Sequence, residues 1–165
     1  MKNLILSITA LFITLSVSSQ TIVDAAASNK DFSTLVTALK AADLVGALSG
    51  EGPFTVFAPN NDAFGKIDSE TLGSLLKPEN VEALSNILTY HVVSGKLMAS
   101  DVTKALKDGY GRVKLTALNG QTFVARSKGG KIFLKDQNGD MSEVIATDVV
   151  GTNGVIHVID SVIMP

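Results

Sequence analysis

Two hydrophobic periods divide this chain, and the point where one replaces the other constrains its fold more than any other feature. Up to about Lys107 the apolar residues recur at helical spacing. Phe32, Leu35, Val36 and Leu39 fall at i, i+3, i+4 and i+7, Leu72, Leu75 and Leu76 form a second set, and Val81, Leu84, Ile87 and Leu88 a third. Beyond Gly109 that period vanishes. Asn119-Gly120, Gly129-Gly130, Asn138-Gly139 and Asn153-Gly154 then punctuate short alternating runs such as 121–126 and 131–135. Such dipeptides supply the positive φ of two-residue hairpin turns, so a β-meander is expected. Helices first and antiparallel strands second make an α+β chain. Without strand–helix alternation, a parallel doubly wound sheet is disfavoured.

Local punctuation refines this outline. Asn29 or Asp31 can cap the first amphipathic helix, and Asp43 to Leu48 can continue it as a short second piece, before the stretch from Ser49 to Pro53 breaks any helix. Thr55, Val56, Phe57 and Ala58, bounded by Pro53 and Pro59, read with Phe54 as a short buried strand. Asn60 is an N-cap candidate for a helical turn over 61–64, Asp68 caps the next helix, and Pro78 suits the start of another. Tyr90, His91, Val92 and Val93 form a further strand candidate, followed by a helix from about Ser100 to Lys107 that Gly109 ends.

The first residues stand apart from this fold. Lys2, an uncharged apolar run from Leu4 to Val17 and small residues at Val17 and Ser19 have a signal-peptide layout, with cleavage expected near Ser19/Gln20. Residues 1–19 would be the leader and 20–165 a single domain. The run is shorter than the ~20 apolar residues of a membrane span, so no span is expected in the mature chain. The expected location is secreted or periplasmic, with no lipid anchor because no cysteine follows the run. Cysteine is absent throughout, which excludes disulfides, thiolate metal sites and cysteine nucleophiles. Fourteen Lys and Arg against 16 Asp and Glu leave a formal charge of −2, and Lys114, Lys128 and Lys131 read as isolated cations on a wet sheet face. Nucleic acid is therefore not an expected partner.

Catalytic patterns are missing: there is no G-x-S-x-G, Walker loop, G-x-G-x-x-G or H-E-x-x-H. The two histidines, His91 and His157, lie in apolar runs, where backbone-bonded structural histidines are the ordinary case. Together with Asp148 they could make a weak metal site only if the fold joined them. The run from Asp136 to Asp140 departs from a calcium loop at its glycine and closing glutamate positions and reads as a solvated hairpin tip. Neither a metal nor a cofactor is expected, and the chain is read as no enzyme.

Three segments add a family resemblance. The run from Gly52 to Phe64, containing Thr55-Val56-Phe57-Ala58-Pro59-Asn60, resembles the first signature of fasciclin domains; Tyr90-His91-Val92-Val93-Ser94-Gly95-Lys96 resembles their tyrosine–histidine motif; and the run from Asn153 and Gly154 through His157 to Pro165 resembles the closing signature. The resemblance implies a fasciclin-like wedge of N-terminal helices on a twisted, mostly antiparallel sheet. It further implies a surface or matrix adhesion role with a protein or glycan partner, itself included. By the same resemblance, Asp148-Val149 and Tyr90-His91 occupy the positions associated with binding in animal members. Capping of local backbone is the competing role for Asp148, and a buried phenol–imidazole cluster is expected of Tyr90 and His91. The alternative function is a periplasmic carrier of a small apolar ligand or a stress-related factor.

Overall fold

The computed structural model describes residues 20–165, so the expected leader lies outside the described residues. The order is α1 (Ile22–Ala27), a 3-10 turn (Lys30–Phe32), α2 (Ser33–Ala41), α3 (Val45–Ser49), β1 (Phe54–Pro59), α4 (Asn61–Gly65), α5 (Ser69–Leu75), a second 3-10 turn (Pro78–Asn80) and α6 (Val81–Tyr90). β2 (Val92–Ser94), α7 (Ala99–Asp108), β3 (Arg112–Thr116), β4 (Thr122–Lys128), β5 (Lys131–Lys135), β6 (Met141–Gly151) and β7 (Gly154–Ile159) follow. Short polar side chains start several helices as expected. Asn60 Oδ1 accepts from Ala63 N at 2.8 Å, and Asp68 Oδ2 accepts from Glu70 N and Thr71 N. α1 was not anticipated, although its signal is legible: Thr21 and Asp24 cap each other reciprocally, three residues apart.

The seven strands form one sheet in the order β2-β1-β7-β6-β5-β4-β3. The α+β class holds and most pairs are antiparallel, but β1 and β7 run parallel, Phe54 opposite Gly154 through Pro59 opposite Ile159. The wedge is corrected to a barrel-like sheet. β6 shifts register twice against β7, between Val144 and Ala146 and again before Val149, and such irregularities bend and twist a strand. The sheet curls until its two ends touch, through a Val93–Ala117 bridge and a 2.8 Å bond from Leu118 N to Val92 O.

Curling leaves the central strands covered on both sides, which is why β1 is apolar without alternation. Val56, Ala58 and Ile156 face a core packed by α1, α2, α3 and α6, with Phe32, Leu35, Leu39, Leu48, Leu84 and Leu88. Phe57 and Ile159 face a second core inside the curl with Phe123, Leu134 and α7's Val102 and Leu106. Phe57 meets Phe123 edge-on at 5.5 Å.

The hairpin turns divide into two kinds. Gly120, Gly129, Gly130 and Gly139 have φ between +60° and +96°, as expected. Gly154 does not. A Cβ there would lie 2.2 Å from the Phe54 carbonyl oxygen, so this glycine serves the close approach of β7 to β1 and not the turn. Two further expectations change. Tyr90 and His91 end α6 instead of opening a strand, which starts only at Val92. Asp136 is not a solvated tip residue: it is buried, and its carboxylate accepts from Asp140 N and from Met164 N in the C-terminal segment.

Candidate functional site

The residues carrying the three signatures prove to be backbone anchors. Thr55, fully buried, donates from Oγ1 to Gly95 O at 2.6 Å and accepts from Leu97 N at 2.9 Å, pinning the segment after β2 to β1. Asn153 Oδ1 accepts from Ile22 N at 2.9 Å, while its Nδ2 donates to Leu48 O and Gly50 O at 2.7 and 2.9 Å. One amide therefore ties α1 and the end of α3 to the β6–β7 turn.

The histidines use opposite ring nitrogens. His91 donates from Nδ1 to Ile87 O at 2.8 Å and accepts at Nε2 from Ile163 N at 3.2 Å. Burial depresses its pKa to about 4, with the Ile87 carbonyl opposing that shift. His157 donates from Nε2 to Leu97 O at 2.6 Å and accepts at Nδ1 from Asp148 N at 3.3 Å. His91 lies beside Val56, Ala58 and Ile156, whereas His157 stacks on Phe57, so β1 separates them. The fold thus does not join the two histidines, and no group of three or more His, Cys, Asp or Glu side chains is placed to hold a metal among the described residues.

Tyr90 and His91 are both buried but do not bond to each other. The Tyr90 hydroxyl donates to Thr122 O at 3.1 Å, and burial, helped by the nearby Asp136 carboxylate, raises its pKa. Only one half of the candidate binding pair reaches the surface. Asp148 is exposed and adopts φ +61°, and Val149 is 38% exposed. Asp148 Oδ1 accepts from Ala99 N at 2.8 Å, so the capping role is real but its target is the start of α7, 49 residues away, not local backbone. Asp148→Ala is expected to lose about 1–2 kcal/mol, from the cap and from the left-handed backbone that Asp tolerates better. Asp148→Asn is expected to stay within about 0.5 kcal/mol, since it keeps both features; equal losses in urea unfolding would refute this.

Sequence reasoning passed over Asp160. Its Oδ1 accepts from Glu143 N at 2.8 Å and Lys66 lies 3.3 Å from Oδ2. Burial pushes this carboxyl up, but the Glu143 amide, Lys66 and Ser161 outweigh it, and it titrates below the usual range. An apolar cavity between the helices and the sheet, lined by Ile22, Leu39, Val56, Leu88 and His91 among others, has a volume of about 20 Å³. That is room for about one water, against roughly 300 Å³ or more in small-ligand sites.

The curled sheet, whose first and last strands pair in parallel, is thus clamped by a buried Thr, two buried His and an Asn at the closing turn. The chain belongs to the fasciclin domain family: the family's model, Fasciclin domain, matches residues 30–165. It is 50% identical over 148 residues to protein sll1483 of Synechocystis, covering 90% of this chain and 75% of that one. Human periostin is 36% identical over 141 residues, covering 83% of this chain and 15% of periostin. The fold matches a domain pair from the insect cell adhesion molecule Fasciclin I with a TM-score of 0.77 at 21% identity, covering 88% of this chain and about half, 51%, of that one.

Proposed function

We propose that residues 1–19 direct this chain out of the cytoplasm and are removed, and that residues 20–165 then act as a single non-enzymatic adhesion module. The observation that carries the reading is the commitment of the signature side chains. Thr55, Tyr90, His91, Asn153 and His157 all bond backbone, and no buried side-chain polar atom lacks a partner among the described residues. A catalytic acid or base held in reserve would leave such a group unpaired and open to a cleft, whereas His91, though its pKa is depressed by burial, is bonded to backbone at both ring nitrogens. What remains for function is the surface, which includes Asp148 and Val149. The likeness to a domain pair of a cell adhesion molecule supports the same direction.

Purified protein is expected to bind the envelope or extracellular material of its source cells, and a deletion strain to attach less well to surfaces. Absence of binding, together with normal attachment by the deletion strain, would refute the proposal. Asp148→Asn separates the two roles of that residue: retained stability with lost binding assigns it a direct contact, and retained binding confines it to capping α7.

A further inference from the structure

Basic residues that look scattered in the sequence converge on one face of the sheet. Strand alternation and register decide this: Val113 pairs with Ala125, Ala125 with Leu134 and Leu134 with Ser142, and this row points into the curl. The residues between them point outward. One outer row is Lys114, Val124, Lys135 and Met141; the next is Arg112, Arg126, Phe133 and Glu143; Lys128 and Lys131 close the sheet at the Gly129-Gly130 turn. Six of the chain's 14 basic residues thus share a face with one carboxylate. Glu143 holds Lys131 at 2.7 Å; no other cation of the face has a carboxylate within 4.0 Å among the described residues.

The chain as a whole is slightly acidic, so this asymmetry is local. Arg112 stands directly opposite Arg126, and Lys128 directly opposite Lys131, an arrangement that folding alone disfavours. Beside them Tyr110 is 97% exposed and held at φ +54°. Tyr110, Arg112, Arg126, Lys128 and Met141 line an open depression of about 420 Å³.

We propose that this outer face of β3, β4 and β5 binds an acidic polysaccharide, a chain of sugars bearing uronate or sulfate groups. The inference rests on the adhesion reading above and names the chemistry of the partner. Charge complementarity selects a polyanion, and the rest of the face selects sugar over nucleic acid. Glu143, its charge offset by Lys131, can accept sugar hydroxyls, and Phe133, Val124 and Tyr110 offer apolar surface to pyranose rings. The cations also lie about 5–7 Å apart on the sheet lattice. Duplex DNA presents one charge per ~1.7 Å, whereas a polyuronate carries its carboxylates one sugar length apart.

The test uses the purified protein with alginate, neutral dextran and oligothymidylate of matched charge as probes. Alginate is expected to bind and to weaken at least about tenfold between about 50 and about 300 mM salt, as several released counterions require. Dextran should not bind, and oligothymidylate should bind more weakly than alginate. The triple variant Arg112→Gln, Arg126→Gln, Lys128→Gln should lose about tenfold or more of the alginate affinity with unchanged folding, because all three side chains are exposed and unpaired. A control triple away from this face, Lys40→Gln on α2, Lys77→Gln in the link after α5 and Lys104→Gln on α7, should change it less than about twofold. Equal loss in both triples, alginate binding untouched by the sheet triple, or preference for oligothymidylate overturns the proposal. If the protein binds envelope material but not alginate, or if the sheet triple leaves envelope binding intact, this inference fails while the adhesion reading stands.

Discussion

Asn153→Ala is expected to destabilise the protein by about 3–5 kcal/mol, the largest effect of any single polar substitution considered. The truncation leaves the Ile22 N–H and the Leu48 carbonyl without their partner, both in residues the core covers, and removes the bond to Gly50 O as well. Each buried backbone group left unpaired costs about 1–3 kcal/mol. Asn153→Asp should be no better. It keeps an acceptor for Ile22 N but places a carboxylate against two carbonyl oxygens. Urea unfolding at pH 7 measures both variants, and a loss below about 1 kcal/mol in Asn153→Ala would contradict the role assigned to this amide.

Acid should remove about 3 kcal/mol of stability between pH 7 and pH 4 through His91 alone. The ring is buried and neutral, with a pKa of about 4 in the folded protein against an ordinary 6.5. Between those values the unfolded chain binds a proton that the folded chain refuses, so stability is fully present above about pH 6.5 and falls by about 1.4 kcal/mol per unit as pH drops. Below about pH 4 both states carry the proton and His91 contributes no further slope. The Asp160 carboxyl, held below its usual range, adds a second loss at lower pH, so the two windows are separable. His91→Gln should be less stable at pH 7 yet flatter over pH 4–7, because a side-chain amide can accept from Ile163 N without titrating. An equally steep profile in that variant would assign the acid sensitivity elsewhere.

Much of the local structure was legible because its determinants are local. Asn60 and Asp68 cap helices whose first turns begin one residue later, and Gly120, Gly129 and Gly139 take the positive φ that their turns require. Backbone groups orphaned at a helix start can be met by the side chain next to them, and a turn's dihedrals belong to its own residues. The same reasoning failed at Gly154, where a turn dipeptide turned out to serve contact with β1. It failed at Tyr90 and His91 too, where α6 ends at Tyr90 and His91 caps it, in a stretch whose β-branched and aromatic neighbourhood suggested a strand.

The sequence by itself determined the α+β class, the caps of α4 and α5, most hairpins and, through three motifs, the family. Tertiary structure decided what the marked residues do. Asn153 finds its partners 131 and 105 residues away, His91 bonds Ile163 across 72 residues, and Asp148 caps a helix 49 residues distant. Pairing register brings Arg112 onto the face that Arg126 and Lys128 share, and packing on both sides of the sheet buries Val56 in one core and Phe57 in the other. A strand's period of two says that alternate residues share a face, but only its neighbours in the sheet decide which face meets the core and which is left to solvent.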